Sequence, residues 1–142
     1  MRDWALHHIG VAVPALAPAI EVHRALFGQE LVSGPFVDPL QKVEVCFLAR
    51  GGEPLLELVA PSGEGSPIGA QLRRGIGAYH LCYEVDDLEG AVDAALAQRC
   101  LLVAPPLPAV AFGGRRIAWF FAPTRQLTEL LERGGEGGRQ KA

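Results

Sequence analysis

Cysteine, basic charge and long apolar runs are all scarce in this sequence. The three cysteines, Cys46, Cys82 and Cys100, are an odd number with no C-x-x-C or short knuckle spacing. That excludes a disulfide framework or zinc ribbon and makes a reducing, cytoplasmic compartment the expected one. No stretch approaches the ~18 consecutive apolar residues of a membrane span. The N-terminus opens on Arg2 and Asp3, not on a basic and then apolar signal region, so neither secretion nor a membrane partner is expected. With 13 Lys and Arg against 16 Asp and Glu, a formal charge of −3, no dense basic stripe forms and no nucleic-acid partner is expected. A small-molecule substrate is. Hydrophobic residues, by contrast, make up 49% of the 142 positions, alongside 17 Gly and 11 Pro. A chain of this size buries roughly 68–70% of its unfolded surface. The glycines and prolines therefore punctuate many short connections in a packed domain.

The apolar period gives the order of elements. His7 to Val13 alternates as a strand and stops at Pro14, with His8, Gly10 and Ala12 on one face. A helix is expected from Pro18 to Leu26, stopped by Gly28. Strands are expected at Glu30–Ser33, Lys42–Ala49 and Pro54–Ala60, the last two joined across Gly51-Gly52. A polar linker then leads to a short helix with Ser66 as N-cap, Pro67 at its first position and Gly75 past its end. The same order returns: a strand at His80–Val85, a helix capped by Asp86 or Asp87 and running to about Arg99, and strands at Leu101–Ala104, Arg115–Phe121 and Gln126–Leu131. This divides residues 5–132, taken as a single domain, into module one (5–61), a linker with the short helix (62–76) and module two (77–132), with a flexible tail at 133–142.

Subtraction tests the repeat. An offset of 72 places His8 on His80, Val11 on Tyr83, Val13 on Val85 and Leu16 on Leu88, and without a gap it places Leu55 on Leu127, Glu57 on Glu129 and Leu58 on Leu130. Glu64 and Glu136 share the offset but lack matching apolar neighbours, so the signal lies in the strands around the residues. Each half carries a His in its first strand and, 49 residues on, a Glu among leucines in its last. A carboxylate there either faces water or is buried, and a buried one must be paired, protonated or bound to a metal. Taken together, His8, Glu57, His80 and Glu129 offer two imidazoles and two carboxylates, a set suited to a divalent first-row transition ion with open positions. Gly10 and Ala12 leave room beside His8, and Cys82, on the His80 face, reads as a small core residue. Arg73, Arg74, Arg115 and Arg116 stand in pairs beside turns; they could meet phosphates or a carboxylate, but such pairs are usually solvated, and that reading is preferred.

These features resemble the vicinal-oxygen-chelate (glyoxalase/bleomycin-resistance) superfamily, and within it most nearly the methylmalonyl-CoA epimerases. The resemblance is carried by Leu6-His7-His8-Ile9-Gly10-Val11-Ala12-Val13-Pro14, Leu56-Glu57-Leu58-Val59-Ala60-Pro61, Ser66-Pro67-Ile68, Tyr79-His80-Leu81, Glu84-Val85-Asp86-Asp87-Leu88, Gly113-Gly114-Arg115-Arg116-Ile117 and Leu127-Thr128-Glu129-Leu130. It implies an α+β fold in which two tandem βαβββ modules form an open, curved mixed sheet around a metal site. By position it implies His8, Glu57, His80 and Glu129 as metal ligands for cobalt, nickel, manganese or zinc, with Glu129 doubling as catalytic base. The chain departs from the family at Tyr79, where a second His is common, and at Ala122-Pro123-Thr124-Arg125-Gln126, where a His-Pro-Lys stretch is common. Glu44 is only an approximate match to the family's second catalytic carboxylate.

A substrate offering two oxygens could chelate such an ion, which would polarise its carbonyl while a carboxylate moves the adjacent proton. The expected activity is a metal-dependent epimerase or isomerase acting on methylmalonyl-CoA or a related acyl-CoA. The second acid is Glu57 or Glu44. Alternatives are a lactoylglutathione-lyase type isomerase and a metal-free drug-binding protein. A homodimer is implied, with the site either within one chain or shared between subunits.

Overall fold

The structure is a computed structural model that describes residues 3–134; the expected flexible tail lies outside the described residues from position 135 onward. The chain divides into two compact units, one spanning His8–Tyr79 and the other combining the segment up to His7 with the chain from His80. The order βαβββ expected for each half is present in both.

The His8–Tyr79 unit begins within β1 (Ala5–Ala12), which leads to α1 (Leu16–Phe27), β2 (Glu30–Asp38), β3 (Val43–Ala49) and β4 (Leu55–Pro61), followed by the short α2 (Gly69–Arg73). The strands lie in the order β2-β3-β4-β1, with β1 parallel to β4 and the other pairs antiparallel. α1 begins two residues before Pro18, so the proline falls within the first turn, where its missing N–H would have no helical partner in any case. Gly28 ends the helix in the left-handed region at φ 66°, and its N–H donates to the Arg24 carbonyl. The core beneath α1 joins Val13 and Leu16 to Cys46, Leu48, Leu58 and Ala60. Burying a side chain such as Leu58, which is 0% exposed, contributes about 1.5–3 kcal/mol.

Two expected boundaries are corrected in this unit. β2 runs on from Ser33 to Asp38, through Gly34 and Pro35. It is an edge strand whose pairing with β3 shifts register on both sides of Ser33, and such a bulged edge tolerates a residue without an N–H. Gly34 sits at φ 91°, and a Cβ there would lie 2.9 Å from the Val45 carbonyl oxygen, so the chain turns past β3 only with glycine. Ser66 is not the cap of α2: Ile68 takes that place without a side-chain cap bond, and Ser66 instead accepts from the Gly69 N–H through its backbone carbonyl.

The other unit repeats the plan with β5 (Ala78–Val85), α3 (Leu88–Ala97), β6 (Leu101–Pro108), a one-turn 3-10 helix (Val110–Phe112), β7 (Arg116–Phe121) and β8 (Leu127–Glu132). Its strand order is β5-β8-β7-β6, with β5 parallel to β8. Asp87 is the N-cap of α3, accepting from the Gly90 N–H at 3.0 Å. The helix stops at Ala97 rather than Arg99, because Arg99 takes a left-handed φ of 68°. β6 passes Pro105 and Pro106 to reach Pro108, again as a bulged edge strand. Val85, Leu88, Ala91, Ala118 and Leu130 anchor the core between α3 and the sheet. None of the three cysteines forms a disulfide; Cys46 and Cys82 are buried and Cys100 is half-buried. Among the described residues no helix is long and apolar enough to cross a membrane.

Candidate metal centre

Strand register explains why each His meets its Glu. β1 and β4 run side by side in parallel, with His8 level with Leu55 and Gly10 level with Glu57. His8, Gly10 and Glu57 therefore share one face, and His8 Nε2 stands 3.3 Å from Glu57 Oε1. Phe47 of β3 is level with Glu57 and meets the His8 ring edge-on at 5.5 Å. The opposite face carries Cys46, Leu48 and Leu58, packed against α1.

The same construction appears in the other unit. β5 and β8 are parallel, with His80 level with Leu127 and Cys82 level with Glu129, and His80 Nε2 lies 3.4 Å from Glu129 Oε1. Trp119 of β7 is level with Glu129, its ring edge-on to His80 at 4.8 Å. Phe47 and Trp119 are themselves 72 positions apart. These packing partners were missed in the sequence, although the offset already in hand would have found them.

All four residues are buried: His8 is 0% exposed, His80 2%, Glu129 3% and Glu57 6%. This removes the solvated reading of the two glutamates. A carboxylate taken from water costs several kcal/mol unless a cation or hydrogen bonds replace the lost solvent. The neighbouring Cys46 thiol feels this environment: burial first, and then the charges of Glu57 and Glu44, push it up to about 11. The donor set fits a divalent transition ion, since two imidazole nitrogens are neutral ligands and two carboxylates balance a double positive charge. Each of the four side chains offers one ligand atom.

The other candidates separate. Glu44 lies level with Ala60, in the row of Cys46 and Leu48, and so on the opposite side of β3 from the row facing Glu57. Cys82 is fully buried on the His80 face, level with Glu129. Arg73 and Arg74 are exposed, as expected for solvated arginines. Arg116, with 36% of its side chain exposed, holds Glu89 and Glu132. Arg115 departs from that expectation: its side chain is 9% exposed and its Nη1 donates to Glu84 at 3.0 Å and to the Glu132 carbonyl at 3.3 Å.

Comparison with known proteins adds a pattern to this geometry. The family described as the Glyoxalase/Bleomycin resistance protein/Dioxygenase superfamily matches residues 7–119. The ethylmalonyl-CoA/methylmalonyl-CoA epimerase of Cereibacter sphaeroides is 39% identical over 90 residues, 62% of this chain. That match spans 66% of the relative's own length, just under two thirds. The mitochondrial methylmalonyl-CoA epimerase of Dictyostelium discoideum is 29% identical over 132 residues, 90% of this chain and 78% of the relative. The crystal structure of methylmalonyl-CoA epimerase from Mycobacterium tuberculosis superposes with a TM-score of 0.77 at 30% identity, covering 89% of this chain and 86% of that one.

Proposed function

Because the chain belongs to the Glyoxalase/Bleomycin resistance protein/Dioxygenase superfamily, we propose that it is a metal-dependent epimerase. It moves the proton on the carbon next to a thioester carbonyl, with methylmalonyl-CoA or a related acyl-CoA as substrate. The observation that carries this reading is the pair of buried His–Glu contacts, one per unit, built on the same parallel strand pair. The names of the relatives support the choice of substrate. In this proposal residues 5–132 act as one domain, His8, Glu57, His80 and Glu129 hold one divalent ion, and the chain works as a homodimer in the cytoplasm. Three cysteines without a disulfide among them support a reducing compartment.

When bound, cobalt, nickel, manganese or zinc would supply Lewis-acid polarisation of the substrate carbonyl and offset the negative charge that grows on it. The chain's own residues move the proton. Glu129 takes it from the α-carbon onto a carboxylate oxygen. Glu57, which would start the cycle protonated once substrate loosens it from the ion, is assigned the acid that returns a proton to the other face; register sets Glu44 on the far side of β3 from Glu57. After one turnover Glu129 is protonated and Glu57 is not, and exchange with water or the reverse reaction resets them. The low exposure of both carboxylates supports such a role, because an enclosed base is not levelled by bulk water.

The test is proton exchange at the α-carbon of methylmalonyl-CoA in deuterated buffer, run beside isomerisation of the methylglyoxal–glutathione adduct and metal analysis of the purified chain. Deuterium entry into methylmalonyl-CoA with about one equivalent of metal is expected. Turnover of the glutathione adduct alone would replace this reading with a lactoylglutathione-lyase type isomerase. A chain that takes up no divalent ion would leave the drug-binding alternative standing.

A further inference from the structure

Arg115 precedes β7 in the unit that contains His80 and Glu129. Its side chain is nine-tenths buried, yet only one of its three guanidinium nitrogens is engaged: Nη1 donates to Glu84 and to the Glu132 carbonyl. Nε and Nη2 are both buried without a hydrogen-bond partner among the described residues. These two nitrogens form the side-on fork of the guanidinium, whose two parallel N–H groups match the two oxygens of a carboxylate. A buried cation with its fork unmet is costly, and such an edge in a folded protein calls for a ligand.

The surroundings hold that edge in place. The Phe112 ring lies 5.6 Å from the guanidinium carbon, and Phe112 is 2% exposed, so the cation is packed against a fixed aromatic face. Glu84, which holds Nη1 at the other side of the guanidinium, is two residues beyond Cys82 on the same face of β5, and Cys82 is level with Glu129. Two residues along a strand is about 7 Å. Arg116 next door is half-solvated and fully occupied by Glu89 and Glu132.

We propose that the Nε–Nη2 fork of Arg115 binds a free carboxylate of the substrate, making Arg115 the residue that selects acyl thioesters carrying a second acid group. This rests on the epimerase reading for the acyl-thioester class, and its test is separate from turnover.

Calorimetric titration of the full chain with methylmalonyl-CoA and with propionyl-CoA compares two thioesters that share every phosphate and differ in the carboxylate. The wild type is expected to bind the first about ten- to a hundredfold more tightly, as a charge-assisted bidentate contact would give. Arg115→Lys retains a cation for Glu84 but has no fork, and it should lose most of that preference while its affinity for propionyl-CoA changes less than about twofold. Arg116→Lys should keep the preference. If Arg115→Lys does not fold, the double variant Glu84→Gln, Arg115→Gln removes both charges together and carries the same readout. A wild type that does not discriminate, or a variant that weakens both thioesters equally, overturns the proposal. Deuterium exchange by a wild type that shows no preference would retain the epimerase reading and remove Arg115 from it; preference without exchange would do the reverse.

Discussion

Glu129 is flanked by Thr128, 5% exposed, and Leu130, 0% exposed, and is itself within reach of an imidazole, so its carboxylate lies where water is scarce. Glu129→Gln keeps the shape and removes the charge. It is expected to lower α-proton exchange by about 10²–10⁴-fold while the melting midpoint moves by a few degrees at most. Exchange at the wild-type rate would take the base assignment away from Glu129. Gly34 makes a purely structural prediction. Its φ of 91° and the 2.9 Å approach to the Val45 carbonyl oxygen mean that Gly34→Ala strains the backbone and forces β3 aside. Urea denaturation should show a loss of about 1–3 kcal/mol. The four metal-ligand candidates were legible in the sequence because a chemical pattern was repeated at a fixed offset. Arg115 was one of four arginines that could have met a carboxylate, and nothing local set it apart, because adjacent arginines look alike until their partners are known, and Glu84 is 31 residues away.

At the scale of elements, the apolar period located all eight strands and both long helices among the described residues, and it failed where a breaker residue was tolerated. Gly34-Pro35 in β2 and Pro105-Pro106 in β6 are strong stop signals, yet both strands lie on edges where bulges absorb them. Whether a strand is an edge is decided by its partners, which a local pattern does not contain. The start of α3 was nearly legible: Asp86 and Asp87 were both candidates, and Asp87 is the cap. Asp87→Ala should cost about 1 kcal/mol, measured by chemical denaturation, whereas Asp86→Ala should leave the helix cap intact. The end of β8 carries a pH response. The Arg116 guanidinium, by hydrogen bonding to it, holds the Glu132 carboxyl below its ordinary 4.5. A carboxyl lowered in the folded state stabilises the protein above its unfolded value, and that contribution disappears as pH falls through the folded one. Melting midpoints measured from about pH 6 down to pH 3 should therefore fall more steeply for the wild type than for Arg116→Gln.

For the molecule as a whole, the ligands proposed for the ion come from both halves of the sequence, so in that proposal binding the ion would be coupled to folding. A cation that binds the native chain and not the unfolded one raises stability by RT ln(1 + [L]/Kd), about 2.7 kcal/mol at a hundredfold excess over Kd. Added cobalt or manganese should raise the melting midpoint and a chelator should reverse it, and His80→Ala should abolish the response. Light scattering is expected to give twice the chain mass of 15.2 kDa, and a monomer at all concentrations would remove the homodimer from the proposal.

The three cysteines have very different accessibility. Cys46 and Cys82 are 0% exposed, and the Cys46 thiol is held at about 11, so both are shielded from reagents that need a thiolate. Cys100, half-buried just beyond α3, is the remaining target. Native alkylation at mildly alkaline pH should thus attach one fluorophore per chain without any engineered residue. Its emission would report on the half of the protein that carries His80, Arg115 and Glu129, giving an optical readout of ligand arrival from the unmodified gene product.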